Sequence, residues 1–537
     1  MLGAAGVERE LSVRAVLMLG ALSLLGCPTS EPVGYIGAAP APEFNGWRRL
    51  PAPAFVSEPP SGGASSVEQG EDRTNGGGAA LMDFTGDGAP DLVLTAPWSG
   101  PAVFVGDGLG GFARRPNPEL EAVPMSACAV GLHLDDDGLR DLLLCGDNRV
   151  SAWRNLGGAQ FVHVDDVLVF DDARAEDIAV TDLYGDGTLA LYVGTQSLAN
   201  PDGGAPGAHA DRLLLHRGGF VFDDISERMP ESGRIGQTYA STWIDIDGDR
   251  DLDLFTVRDR GSVLWPAALF LNPGDDSEWP EVAADWGLAL EIDGMGLAQG
   301  DVDGDGTTEI VVSDNFSRLH MLSVGDGVAT PIAAEMGVVV QDPETQIASW
   351  AVELVDVEND GDLDLVVAFG RADLLIDDTR QTVDVFTHVG DGYAQVQGFE
   401  QTLPPTGDGW RTVLPDDIDG DGMLELVFTS HVGAVMIQDP TPSGNHFLRV
   451  ALSGPPGNDD GLGARVMVWH GTETPQWRRI GVGTTGIHSA VSPVAHFGLG
   501  DATAVERVEV LWSDGSLTTV DGPAMDAVLS VRHPLAP

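Results

Sequence analysis

A nine-residue acidic segment occurs seven times along this chain, and that repetition restricts the fold more than any other feature. The version at 301–309 reads DVDGDGTTE, with carboxylates at positions 1, 3, 5 and 9, and runs directly into the apolar stretch IVVS. Four anions this close repel one another, and the spacing becomes favourable only around a doubly positive ion. The other versions are DFTGDGAPD (83–91), HLDDDGLRD (133–141), DLYGDGTLA (182–190), DIDGDRDLD (245–253), DVENDGDLD (356–364) and DIDGDGMLE (417–425). Their starts are separated by 50, 49, 63, 56, 55 and 61 residues. A period of that size indicates a propeller or another repeat array.

The flanks repeat as well. Small and apolar residues lead in, as in QTYASTWI before Asp245, and short β-branched runs lead out: LVLTA, LLLCG, LYVGT, LFTVR, IVVSD, LVVAFG and LVFTS. These runs are strand-like in length and composition. A further strand and a glycine-rich turn close to an aromatic follow most of them, as in VFVGDGLGGF and VFTHVGDGY. Each unit thus reads as strand, acidic loop, strand, loop, strand, glycine-rich turn, strand. Four short antiparallel strands per unit make a propeller blade, and radial packing protects the blade edges. The expected fold is all-β, a seven-bladed β-propeller over 79–440 followed by a small C-terminal β domain over 441–537.

Several structural calcium ions are the expected cofactor, because calcium takes six to eight oxygens and a tight loop turns alternate carboxylates inward. The candidate ligands are Asp83, Thr85, Asp87 and Asp91 in the first loop, Asp135, Asp137 and Asp141 in the second, and Asp182 and Asp186 in the third. The fourth and fifth loops offer Asp245, Asp247, Asp249, Asp253, then Asp301, Asp303, Asp305 and Glu309. The sixth and seventh offer Asp356, Glu358, Asp360, Asp364, then Asp417, Asp419, Asp421 and Glu425. Glycine at position 6 permits the sharp turn. The helix–loop–helix calcium motif is excluded, since position 12 falls inside the outgoing strand as Thr256, Val312, Val367 or Phe428. The copies differ: His133 and Tyr184 replace oxygen donors, Ala190 ends the third loop, and Arg250 stands where glycine is expected. The plainer alternative is seven solvated turns, since Asp and Gly are common turn residues.

The charge balance removes whole classes of function. The chain carries 28 basic and 83 acidic side chains, a net of −55, and every basic one is arginine. With no lysine there is no Schiff base and no phosphate-loop lysine. Nucleic-acid binding needs a basic patch that is missing here. Residues 106–111 match a dinucleotide fingerprint by letters, but FARRPNP follows where a helix should start, so they read as a blade turn and no nucleotide is expected. No metalloprotease, nucleophile-elbow or paired-cysteine motif occurs. His470, His488 and His496 read as structural. Trp153, Trp243, Trp265 and Trp350 fit packing between blades, with sugar stacking as the alternative.

The N-terminus has the pattern of an export signal. Arg9 and Arg14 precede the apolar run 15–26, which is too short to span a bilayer and ends in Leu24-Leu25-Gly26-Cys27. This resembles a bacterial lipobox, so 1–27 is read as a signal peptide with Cys27 as the lipid attachment site. The expected location is the outer membrane or cell surface, the alternatives being periplasmic or secreted. Residues 28–78 are rich in Pro, Ala, Gly and Ser and read as a flexible linker. Cys128 and Cys145 flank one acidic loop, where a disulfide and two buried thiols are both open.

The acidic loops and their flanks resemble the FG-GAP/VCBS repeats of integrin α-subunit propellers and bacterial surface proteins, in which the metal is structural. From Asn445 the repeat ends. Asn445, Gly461-Leu-Gly-Ala-Arg465, Phe497-Gly-Leu-Gly500 and Val510-Leu-Trp-Ser-Asp-Gly515 resemble the ASPIC/UnbV domain, with Val508, Val510 and Trp512 alternating as in a strand. The combination is similar to a bacterial relative of the cartilage acidic protein family. That resemblance implies an extracellular calcium-binding role and brings no catalytic residues. The expectation is a non-catalytic, membrane-anchored module that binds a protein or a glycan. The alternative is a carbohydrate-active, lyase-like enzyme with its site on the propeller face or at the domain junction.

Overall fold

The structure, a computed structural model, describes residues 47–50, 77–96, 99–123, 126–197, 209–315, 318–338, 347–371, 383–396, 410–430, 435–440, 442–482 and 488–536. The expected signal peptide, Cys27 and most of the expected linker lie outside these residues. Strands dominate; the α-helices among the described residues are the single turns Glu231–Arg234 and Ala283–Trp286. No described helix is long and apolar enough to cross a membrane.

Each acidic loop joins the first two strands of an antiparallel meander. The first repeat runs Ala79–Met82, Asp91–Leu94, Ala102–Gly106 and Phe112–Arg115. The fifth runs Gly294–Gly300, Thr308–Asp314, Leu319–Gly325 and Val328–Pro331, and the sixth Ile347–Val355, Asp364–Arg371, Val383–Val389 and Gly392–Gln395. The fourth repeat has three strands, Thr238–Ile244, Asp253–Arg258 and Ala268–Phe270, with a lone bridge from Phe270 to Glu281. The glycine-rich segment 106–111 is the hairpin turn between Ala102–Gly106 and Phe112–Arg115, where Asp107 accepts the N–H groups of Leu109 and Gly111.

The seven loops lie on six sheets, and none of these sheets closes on itself. The second and third repeats share one six-stranded sheet because strand Phe161–Asp182 runs on from the second repeat into the third, paired with Asp141–Asn155 on one side and Leu189–Ser197 on the other. The two repeats are tied where Asp147 pairs with Arg174, whose guanidinium also binds the Asp147 carboxylate at 2.8 Å. In the same region Cys128 and Cys145 form a disulfide with their Cα atoms 4.9 Å apart.

The seventh repeat departs from sequence order. Its strands Trp410–Asp416, Glu425–Ser430 and Val435–Pro440 are completed by Trp47–Leu50, which pairs antiparallel with Val435–Pro440. Four residues of the span read as a flexible linker are therefore part of the last sheet. Pairing a sheet edge satisfies backbone groups that would otherwise be exposed, which outweighs the local composition.

The C-terminal region forms two sheets. His446–Ser453 lies between Val494–Gly500 and Ala527–Arg532, and the second sheet orders Gln476–Arg479, Arg465–Trp469, Arg507–Leu511 and Leu517–Asp521. The region does not stand apart from the repeats. Leu448, Val466, Phe497 and Trp512 share a core with Phe84, Leu143 and Val180 of the first three repeats. Strand Ser489–Val491 adds in parallel to Ala79–Met82, and Val482 bridges to Val180.

Inner strands carry buried polar groups as well as apolar ones. Asp177 is buried and accepts a hydrogen bond from the Ser241 hydroxyl. Burial, reinforced by the charge of Asp211, pushes its carboxyl up to about 8 against the hydrogen bonds that lower it. A carboxyl raised on folding contributes stability at low pH that is lost as pH rises through its folded value. Asp177→Asn should therefore gain on the wild type between pH 5 and pH 9, by a few kcal/mol at most at ~1.4 kcal/mol per unit. Melting temperatures of both proteins at the two pH values measure this, and a constant difference would rule it out.

Candidate metal centres

The seven loops follow one hydrogen-bond template. The position 5 carboxylate accepts the N–H of position 7 in every loop, from Asp87 with Ala89 at 3.0 Å to Asp421 with Met423 at 2.9 Å. Position 1 accepts the N–H of position 6, as in Asp301 with Gly306 at 3.0 Å and Asp356 with Gly361 at 2.9 Å. Position 6 is left-handed, as expected, and so is position 4: Gly304 and Gly306 have φ of 72° and 91°. Gly422 also leaves room for the Phe447 ring, which a Cβ would strike. In the fourth loop Arg250 adopts φ 83°, a conformation costly for a residue with a Cβ.

The ninth residue has a role that the spacing alone does not reveal. In every loop but the third, which ends in Ala190, its carboxylate is buried at the start of the second strand. One oxygen accepts the N–H of position 2: Phe84 to Asp91 at 2.8 Å, Ile246 to Asp253 at 3.1 Å, Val302 to Glu309 at 3.0 Å, Val357 to Asp364 at 2.9 Å and Ile418 to Glu425 at 2.6 Å. In four repeats the other oxygen accepts an N–H from the third strand or the turn beside it, from Gly106, Asn155, Asn272 or His388. The residue thus pins the loop to two strands.

Four loops bring three carboxylates together, with one oxygen from each within 4.8 Å of the others. These are Asp245, Asp247 and Asp249; Asp301, Asp303 and Glu309; Asp356, Glu358 and Asp364; and Asp417, Asp419 and Glu425. The fourth loop uses positions 1, 3 and 5, and the other three use 1, 3 and 9. Asp253, Asp305, Asp360 and Asp421 lie beside these groups without joining them. No such group forms among the described residues of the first three loops, which hold Asp83, Thr85, Asp87, Asp91, Asp135, Asp137, Asp141, Asp182 and Asp186.

The chemistry of the donor set fits a hard divalent cation. Asp301 Oδ1, Glu358 Oε2 and Asp417 Oδ1 are buried oxygens with no hydrogen-bond donor. Buried polar atoms are ordinarily satisfied, and an anionic oxygen without a donor is costly. Burial first, and the neighbouring carboxylates next, push Asp253 up to about 8 and Glu309 to about 7. A cation would reverse both effects. The residues that would hold it are the four triplets.

The C-terminal region packs directly on these loops. Arg140 of the second loop makes a two-pronged pair with Asp460, both bonds at 2.8 Å. Asp182 of the third loop accepts from Asn458 at 3.2 Å and Ser513 at 3.0 Å. Trp477 donates to Asp301 at 3.1 Å, Arg449 reaches Asp416 and Asp417, and His496 Nε2 meets Asn359 Oδ1 at 2.6 Å. His488 is buried against Glu176 and Tyr239. Trp153, Trp243 and Trp350 are buried, so they pack rather than present a face to solvent.

Strands, acidic loops and a C-terminal region seated on them define a class of all-β repeat protein, and comparison supports it. Residues 245–312 match the FG-GAP-like repeat and residues 454–537 match ASPIC and UnbV. The chain pairs the two features and is similar to cartilage acidic protein 1 of Homo sapiens, 25% identical over 447 residues and 77% of this chain. The Mus musculus protein is 26% identical over 443 residues. The chain spans 63% and 65% of the length of these relatives. Among solved structures, BP39L lectin from Burkholderia pseudomallei covers 68% of this chain and 99% of its own, at 13% identity and a TM-score of 0.41.

Two substitutions test the local physics. Arg250→Gly should relieve about 1 kcal/mol of backbone strain and raise the melting temperature by a degree or more. Arg140→Ala leaves Asp460 buried without its partner and should cost about 3 kcal/mol, part of which Arg140→Ala with Asp460→Ala recovers. Equal stability of the single and double variants in thermal melts would contradict the pairing.

Proposed function

We propose that this chain is an exported, calcium-stabilised β-propeller of seven blades that acts as a non-catalytic binding module for a protein or a glycan. The observation that carries the reading is the set of four three-carboxylate groups, each in the same nine-residue loop and each within 4.8 Å. One such group is an ordinary acidic turn. Four copies, three of them with a buried oxygen lacking a donor, make a family of sites built for one kind of ion. Calcium is favoured over magnesium because the carboxylate oxygens come from an irregular turn, which suits calcium's tolerant geometry better than the near-ideal octahedron that magnesium demands. The pairing of Trp47–Leu50 with Val435–Pro440, which completes the last repeat's sheet, supports seven blades. Anchoring through a lipid on Cys27 belongs to the same reading.

Calcium here is structural. Bound ions would cancel repulsion inside the loops and hold the surface that the C-terminal region covers. Ligand binding to the native state alone stabilises by about 2.7 kcal/mol per site at a hundred times the dissociation constant. The melting temperature of the full chain should therefore rise by many degrees in calcium over chelator and far less in magnesium. About four ions per chain should be found by elemental analysis, one for each three-carboxylate group. No shift and no bound metal would reduce the loops to acidic turns. Binding screens against glycans and extracellular proteins, in calcium, then test the module's role.

A further inference from the structure

Between the inner strands of the fourth to sixth repeats and the C-terminal region lies a cavity of about 220 Å³. A second chamber of about 150 Å³ shares Leu354, Arg478 and Arg479 with it. These walls are unlike the rest of the protein. In a chain with 83 acidic side chains, Arg478 and Arg479 have no carboxylate at ion-pair distance among the described residues. Arg478 gives one nitrogen to its neighbour's carbonyl, Trp477 O, and its Nη2 is buried without an acceptor. Among the described residues, Arg479 donates a hydrogen bond to Gly463 O at 3.2 Å.

Glu353 in the wall of the first chamber and His496 in the wall of the second offer acceptors without donors. Glu353, on strand Ile347–Val355, has a buried Oε2 with no partner. His496 Nε2 lies 2.6 Å from Asn359 Oδ1, so it carries the proton, and Nδ1 is left as a buried acceptor with no donor. Burial, with Arg449 and Arg478 nearby, keeps this ring neutral. Buried guanidiniums without anions and buried acceptors without donors are each unfavourable alone. One molecule that carries both an oxyanion and hydroxyl groups satisfies both sets.

We infer that this junction is a binding site for a sugar acid, its carboxylate held by Arg478 and Arg479 and its hydroxyls by Glu353 Oε2 and His496 Nδ1. Guanidinium forks match carboxylate geometry, which explains arginine rather than a bare charge. The volume is below that of a drug-sized pocket and suits a single sugar residue. The contacts assigned to the sugar acid use none of the triplet carboxylates, although Asp356 of the sixth loop also lines the second chamber.

Calorimetric titration of the full chain with D-glucuronate, D-glucose and acetate tests this in plain buffer. Glucuronate should bind one to one, and glucose and acetate should each be at least tenfold weaker. Arg479→Gln and Glu353→Gln should each weaken glucuronate at least tenfold. Arg478→Lys, which keeps the charge but loses the fork, should also weaken it and serves where Arg479→Gln does not fold. No heat with glucuronate would overturn the inference, as would equal affinity for glucose or acetate, or an unchanged affinity in a folded variant.

Discussion

A carboxylate buried at the head of a strand is the interaction on which six of the seven repeats depend. Asp91, Asp253 and Asp364 each accept one N–H from the second residue of their own loop and one from the third strand or its turn. Loop, second strand and third strand are thus fixed by a single side chain. The same group brings a negative charge into a place where two or three others already sit, and burial raises it away from ionisation. The arrangement that organises the repeat therefore also creates a charge deficit inside it. A cation is the simplest means of meeting that deficit, and a proton is the alternative.

The C-terminal region meets the same deficit by other means. The second and third loops, which have lost acceptors at positions 1, 3 or 9, are held by side chains from across the junction: Asp460 on Arg140, Asn458 and Ser513 on Asp182. The fourth to sixth loops keep their triplets and feel the field of Arg465, Arg478 and Arg479 without touching them as ion pairs. The copies that appear degenerate as metal sites are contacts between the two regions.

The period of the acidic segment made the all-β repeat architecture readable, because turn chemistry and strand patterning coincide in every copy. Val508, Val510 and Trp512 are buried as their alternation implies. Three things were not readable. The fusion of the second and third repeats rests on the Asp147–Arg174 pairing, which has no local signature. Trp47–Leu50 looks like linker by composition, since its strand character comes from a partner far along the chain. The contacts of Arg140 and Asp182 with the C-terminal region join residues about three hundred positions apart, and single-sequence periodicity holds no information at that range. Positions 1, 3 and 9 were visible as candidate ligands, but the structural duty of position 9 emerged only from its hydrogen bonds.

The pairing of Trp47–Leu50 with Val435–Pro440 has a consequence for how the chain reaches its native state. A strand made early must wait, unpaired, until the last repeat exists to receive it. Until then the first and last repeats lack the core that they share. Long-range pairing of this kind is slow, and an open sheet edge invites wrong partners. A chain with a net charge of −55 meets that interval with strong self-repulsion between copies. Its acidity thereby works as a timing device, keeping unfinished molecules apart until the two ends of the repeat array have met.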